Sequence, residues 1–285
     1  VSMAKNLEPS DFRAVRRVLE PDDFALTGDK PDGPPIDLIS EEAWDHIMTL
    51  PSDVAIRTSG FQGSRISLLN DATAGWTEIL PTTDIIASAM LDVADNLYSS
   101  TFSQLHGFYK EAIATLRSAL ETSVLAVECV LETDEERWKR WEHGEEIRFG
   151  NTCDQLLALP SLQPREDLVL RKCSSGIFIG DDRTNRSAWA RALYRKLCRY
   201  SHARGDATNA AMWSSNGPIY GADGFKASYH TFLEVHAICL ILVKLAEPAV
   251  PLTSIAELVL RPDSLEHYLD EPYRSICTTY CSALW

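Results

Sequence analysis

An arginine and a histidine stand seven positions apart in the second half of the chain, as Arg195 and His202. On a helix this separation is close to two turns, so the two side chains share a face. The imidazole could move a proton at a ribose 2′-hydroxyl or at the leaving oxygen. The guanidinium could stabilise the charge that develops on the phosphorane. The pair is therefore chemically suited to RNA cleavage without a metal.

The two residues belong to a basic segment. From Arg183 to Arg204 the chain holds six arginines, Lys196 and His202, without a single acidic residue. A helix from Ser187 to Ser201 would divide this segment into two faces. On one face lie the polar residues Arg191, Arg195, Arg199 and His202, and on the opposite face lie Trp189, Leu193, Leu197 and Tyr200. The pattern predicts that the helix packs into a core through one face and presents a basic stripe with the other.

The overall charge limits how a nucleic acid could bind. The chain carries 41 acidic and 27 basic residues, a net charge of -14. Such a protein repels polyanions at long range, so an RNA partner would have to be held by a local patch. The basic segment is the candidate for that patch. We therefore predict that Arg191, Arg199, Arg204 and Tyr200 bind substrate beside Arg195 and His202.

Arg117 and Glu121 form a second candidate pair. They lie one turn apart in an otherwise apolar helical segment, where an unpaired charge would be costly. One interpretation is an ion pair that fixes the register of the helix. The other is that the pair lines the same cavity as the arginine stripe and supports its chemistry.

Metal and cofactor signatures are weak or missing. Cys198 and His202 stand four apart, as do Cys277 and Cys281, a spacing that could offer two ligands to a metal. No convincing second pair completes either set. The chain also has no phosphate loop and no dinucleotide-binding glycine pattern. We predict no metal and no cofactor.

Cysteine usage and hydropathy predict the compartment. The seven cysteines are odd in number and lack framework spacing, which is typical of reduced thiols in the cytoplasm. The longest apolar run, Ala237 to Ala246, contains Lys244 and is too short to cross a bilayer. The sequence predicts a soluble cytoplasmic protein that does not bind a membrane.

Helical periodicity dominates the chain and predicts an all-α bundle of about five principal helices with irregular N- and C-terminal extensions. Residues 1–80 are predicted as an arm with short helices, 81–248 as the bundle and 249–285 as a C-terminal helical extension. Asp53 to Thr58 is predicted as a short extended piece ended by Gly60 and Gly63. From Thr83 onward we expect two long helices, or one rod bent near His106-Gly107. Thr133 or Asp134 is predicted to cap the next helix.

The arrangement resembles a known superfamily. An arginine, six further residues and a histidine in a late helix of a small bundle resemble the motif of the HEPN superfamily. The string from His106 to Glu121, followed by Tyr194 to His202, is similar to uncharacterised bacterial helical proteins that pair an Arg-x-x-x-Glu helix with a Leu-x-x-Tyr-x-His helix. The resemblance covers Thr83 to Ala246.

This resemblance implies a metal-independent endoribonuclease of a bacterial defence or toxin system. It implies a homodimer in which the Arg-His helices of two protomers form a composite site. Arg195 would then stabilise charge, and His202 would act as the acid or base. Lys196 departs from the Asn, Asp or His that usually follows the arginine in active members. The alternatives are a non-catalytic helical scaffold or sensor that binds a protein partner or a small anionic ligand, and an enzyme of another class with Gly205 to Gly224 as a lid.

Overall fold

A computed structural model describes residues 41–182, 184–201, 217–251 and 269–284. The regular elements in these ranges are helices, and no strand occurs among them, so the predicted all-α class is confirmed. The chain divides at Thr49 into two units, residues 1–49 and 50–285. The first unit contains the short helix α1 and a π-helical turn, and all later helices belong to the second.

The described helices follow one another with short connections over most of the chain. In order they are α1 (Glu41–Trp44), the π-helical turn Asp45–Thr49, α2 (Leu50–Glu78), α3 (Asp84–Leu105), α4 (Tyr109–Glu132), α5 (Glu135–Glu142), α6 (Phe149–Ala158), α7 (Gln163–Cys173), α8 (Trp189–Ser201), α9 (Ala222–Ala246) and α10 (Tyr273–Leu284).

Helix α2 corrects one expectation. The predicted extended piece from Asp53 to Thr58 is wrong, because these residues are helical. The Thr58 hydroxyl donates to the Val54 carbonyl oxygen at 2.9 Å, one helical turn earlier. The break predicted at Gly60 and Gly63 is present as a bend at Gln62, between them, whose φ of -128° and ψ of 19° are not helical.

Helices α3 and α4 pack along each other as a helical hairpin. Two long helices were predicted here and are confirmed, whereas a single bent rod is wrong. The chain reverses over residues 106–108, where Gly107 adopts a left-handed φ of +78°. The backbone of Ile219 lies against this turn, so close that a Cβ at Gly107 would come within 2.7 Å of the Ile219 nitrogen.

Helix α4 is at the centre of the core. It packs against α3, α5, α6, α8 and α9, and Ile113, Leu116 and Leu120 along it are completely buried. At its C-terminal end Thr133 adopts a left-handed conformation, and the Asp134 side chain accepts a hydrogen bond from the Arg137 N–H at 3.0 Å. Asp134 is therefore the residue that caps α5.

Helix α9 packs against α4 and is buried over most of its length. Within the described part of the chain it is the one helix long and apolar enough to cross a membrane, and 89% of that apolar window is buried inside the protein. Lys244 is also buried there, where its ammonium group donates to the carbonyl oxygens of Pro248 and Val250, both at 2.7 Å. These features are those of a core helix.

Candidate functional site

The basic helix α8 is anchored through its apolar face. Trp189, Leu193 and Leu197 are at most 2% exposed, as the two-faced pattern predicts, while Tyr200 is half-buried. At the start of α8 the amides of Trp189 and Ala190 donate to the carbonyl oxygens of Gly176 and Ile177, at 3.0 and 2.9 Å. The loop before α8 therefore fixes where the helix begins.

A buried carboxylate secures that loop. Glu166 on α7 is fully buried, and its Oε2 accepts hydrogen bonds from the amides of Phe178 and Ile179 at 3.1 and 3.0 Å. Its other oxygen accepts a hydrogen bond from the Tyr280 hydroxyl on α10. Glu166 thus joins α7, α10 and the loop that leads to α8.

Two of the predicted cations on α8 are neutralised. The Arg191 guanidinium, 16% exposed, donates to Asp154 Oδ1 at 2.5 Å and to the Gly150 carbonyl oxygen at 2.9 Å. Lys196 pairs with Glu234 at 2.9 Å. Neither side chain can pair with a phosphate of a polyanion unless its ion pair with the carboxylate is first broken.

Arg195 and Arg199 are exposed on α8 and have no carboxylate partner among the described residues. Arg195 Nη2 donates to the Arg186 carbonyl oxygen at 2.7 Å, which holds the guanidinium without cancelling its charge. Two other predicted site residues, His202 and Arg204, lie outside the described residues. The structure therefore places Arg195 and Arg199 at the surface.

Arg117 and Glu121 form the predicted ion pair, and a third residue joins them. Arg117 Nε and Nη2 donate to Glu121 Oε1 at 3.3 and 3.0 Å. The Tyr194 hydroxyl, on α8, donates to the same oxygen at 2.5 Å and lies 2.9 Å from Arg117 Nη2. Three donor groups therefore converge on Glu121 Oε1. Glu121 Oε2 has no hydrogen-bond partner within the part of the chain that the structure describes.

The electrostatics of this cluster keep Tyr194 protonated. Burial, and then the hydrogen bond to Glu121, raise the pKa of the Tyr194 phenol above its usual range. Burial would lower the pKa of Arg117, but the hydrogen bond and negative charge of Glu121 outweigh it, and the pKa is raised. The Tyr194 ring stacks on Phe149, with ring centroids 4.1 Å apart, and the Arg117 guanidinium lies 5.2 Å from its centroid.

The cluster lines a cleft between α4, α6, α8 and the segment that joins α5 to α6. The cleft has a volume of about 510 Å³. Its floor is formed by Thr122, Leu125 and Thr152, which are buried, and its rim includes Trp141, Glu146 and Arg148. The cleft is concave, and its lining is more polar than apolar, with both signs of charge among the side chains that face it.

The structure brings together some of the predicted residues and separates others. Arg117 and Glu121 line the cleft, whereas Arg195 does not. Tyr194 and Arg195 are neighbours on α8, so the cleft and the exposed arginines lie on adjacent sides of one helix.

Comparison with known proteins finds no family model, curated protein or solved structure that matches this chain.

Proposed function

We propose that this chain is a HEPN-like, metal-independent endoribonuclease. The observation that carries the proposal is the state of Arg195, which is exposed on a firmly anchored helix without a described carboxylate partner. In a protein with a net charge of -14, such an arginine offers a local positive charge at which a polyanion could be held. Arg199, one turn further, adds a second exposed cation for the RNA backbone.

Each residue has a role in this proposal. Arg195 stabilises the phosphorane, and its bond to the Arg186 carbonyl oxygen orients the guanidinium before substrate arrives. His202 moves the proton. The Tyr194 hydroxyl links α8 to Glu121 on α4, so the cluster in the cleft positions the helix that carries Arg195.

The resemblance supports the finer parts of the proposal. These are a bundle with about five principal helices, a homodimer in which two copies of α8 form a composite site, and a cytoplasmic role in a bacterial defence or toxin system. RNA is the proposed substrate, and neither a metal nor a membrane is required.

A second candidate function is a non-catalytic scaffold or sensor that binds a protein partner or a small anionic ligand. The observation that favours it is the ion pair between Lys196 and Glu234. Lys196, the residue after Arg195, therefore contributes to a structural contact between two helices. Arg191 is similarly committed to Asp154.

RNA cleavage in EDTA separates the two candidates. We expect the wild-type protein to cleave a mixed RNA pool and the Arg195→Ala and His202→Ala variants to lose this activity while keeping the wild-type circular dichroism spectrum. Lys172→Ala, which removes an exposed cation from α7, is the matched control and should retain activity. Absence of cleavage by folded wild-type protein, or equal cleavage by all four proteins, would overturn the ribonuclease proposal in favour of the second candidate.

A further inference from the structure

The outer face of helix α3 carries an apolar stripe. Leu91, Tyr98 and Phe102 are between 52% and 66% exposed, and they stand seven and four positions apart. These intervals place all three side chains within a sector of about 40° around the helix axis. The ring of His106, one turn after Phe102, packs on the Phe102 ring with centroids 4.1 Å apart. The stripe is therefore a row of large apolar side chains at the spacing with which one helix receives another.

Carboxylates lie within this stripe and along one of its edges. Asp84 and Asp95 share the outer face with the apolar residues, and Asp92 lies to one side of it. All three are exposed, and none forms an ion pair with a cation in the described ranges. Burial raises the pKa of Asp92 above its ordinary value, and the negative charges of Asp95 and Glu142 raise it further. The acidic edge therefore lies towards α5, which carries Glu142.

A cleft beside that edge is acidic as well. It lies between α3, the end of α4 and α5, and has a volume of about 520 Å³ and a lining that is more apolar than polar. Three carboxylates line it, those of Asp84, Glu135 and Glu142. Lys139 also lines the cleft, but its ammonium group is paired with Glu136 at 2.8 Å. The stripe and the cleft together therefore offer apolar contacts beside negative charge that is not compensated.

From this arrangement we propose that α3 is a docking surface for a cationic amphipathic helix of a protein partner. The apolar side chains of that helix would pack on Leu91, Tyr98 and Phe102. Its arginines or lysines would pair with the carboxylates of the acidic edge and of the cleft. The inference goes beyond the proposed ribonuclease function and does not depend on it.

The charges select a cationic partner over a second copy of the chain. If the α3 stripes of two copies packed on each other, Asp84 and Asp95 of both copies would lie in one interface. Like charges brought together in an interface repel each other, and removing them from water without a cation adds a further cost. A cationic helix removes the repulsion and covers the same apolar side chains.

Fluorescence anisotropy of two labelled synthetic peptides tests the proposal with the full chain. The first is a helical peptide of leucine, alanine and arginine, with leucines at positions i, i+4, i+7 and i+11 and arginines beside them. The second has the same composition in scrambled order, and therefore the same charge without an apolar stripe. We expect the first peptide to bind at least about tenfold more tightly. Equal affinities would overturn the proposal, because binding would then reflect net charge alone.

Single substitutions locate the binding surface. Leu91→Ser should weaken binding of the first peptide at least about fivefold, whereas Leu80→Ser, at another exposed leucine, should bind it as the wild type does. Asp95→Asn should weaken binding by about two- to fivefold and reduce its dependence on salt concentration. Glu111→Gln, an exposed change of the same charge on α4, should do neither. Equal losses in each variant and its control would place the peptide elsewhere and overturn the proposal.

Sedimentation velocity separates a partner helix from a second copy. We expect the wild-type protein and Leu91→Ser to have the same oligomeric state. A dimer of the wild type that dissociates in Leu91→Ser would overturn the proposal and assign the stripe to self-association.

Discussion

At the scale of single residues, the Tyr194 hydroxyl links the basic helix α8 to the Arg117–Glu121 ion pair on α4. It bonds to a carboxylate that also holds Arg117, so the three side chains should act as one unit. We expect Tyr194→Phe to lower the free energy of unfolding by about 1–2 kcal/mol, because the ring keeps its stack on Phe149 and loses two hydrogen bonds, one donated to Glu121 and one accepted from Arg117.

The measurement is a double-mutant cycle with Glu121→Gln, using urea unfolding of the four proteins. Coupling should appear as a double variant less destabilised than the sum of the single variants. Strictly additive effects would show that the hydroxyl and the carboxylate do not stabilise each other in solution.

Glu166 should make stability depend on pH. Burial raises its pKa from the ordinary value of 4.5 to about 7, although the backbone amides of Ile179 and Phe178 act in the opposite direction. Between these two values the native state binds more protons than the unfolded state, so stability falls as the pH rises through the window. Across this window the free energy of unfolding falls by about 3 kcal/mol, and above pH 7 the whole of this contribution is lost.

Glu166→Gln tests this directly, because the amide cannot titrate and its oxygen can still accept from the loop. Urea unfolding on either side of the window should show a smaller fall in stability than in the wild type. Glu111→Gln, whose side chain is exposed, should reproduce the wild-type fall. An identical pH dependence in wild type and Glu166→Gln would show that the carboxyl does not titrate in this range.

The site could be predicted only where its residues are close in sequence. Arg117 and Glu121 lie one turn apart, and their pairing follows from helical geometry. Tyr194 joins them from 77 and 73 positions away, and no periodicity specifies which residue of α8 faces α4. The ion pair between Arg191, predicted as a substrate ligand, and Asp154 could not be predicted either, because Asp154 lies on another helix.

At the scale of helices, the turn between α3 and α4 depends on a glycine. A side chain at Gly107 would be strained by the φ of +78° and would collide with the backbone of Ile219, which cannot rotate away as a side chain would. We expect Gly107→Ala to cost at least about 2 kcal/mol of unfolding free energy. Gly144 also has a positive φ, of +91°, but has no atom within 4 Å of the added carbon.

Gly144→Ala is therefore the matched control and should cost about 1 kcal/mol, for conformational strain alone. Urea unfolding of both variants gives the comparison. Equal costs would indicate that Ile219 moves to accommodate the new methyl group, and that its contact does not fix the turn.

Contacts with residues distant in sequence also explain where the prediction of the helices was wrong. Gly60 and Gly63 lie on either side of the non-helical Gln62, so the break predicted at these glycines is present as a bend within a longer helix. Pro51 stands in the first turn of α2, where its missing N–H is not needed. Local propensity could not separate these tolerated positions from Gly107, because the difference lies in tertiary contacts with residue 219.

At the scale of the whole molecule, the net charge of -14 opposes RNA everywhere except at local cationic sites. Since Arg191 and Lys196 are paired, the electrostatic attraction of α8 should come from Arg195 and Arg199. Each phosphate contact with a single strand contributes about -0.7 to the slope of log affinity against log salt concentration. Removing both arginines should therefore reduce the magnitude of that slope by about 1.4.

The binding measurement belongs in a His202→Ala background, so that RNA is not cleaved during the titration. Arg171→Ala combined with Lys172→Ala removes two exposed charges from α7 and controls for the change in net charge. We expect this control to have the same slope as the His202→Ala protein. Charges removed away from the RNA contact alter long-range repulsion but do not change the number of counterions released at the contact. The same reduction in both double variants would mean that RNA responds to total charge, and that α8 is not its binding surface.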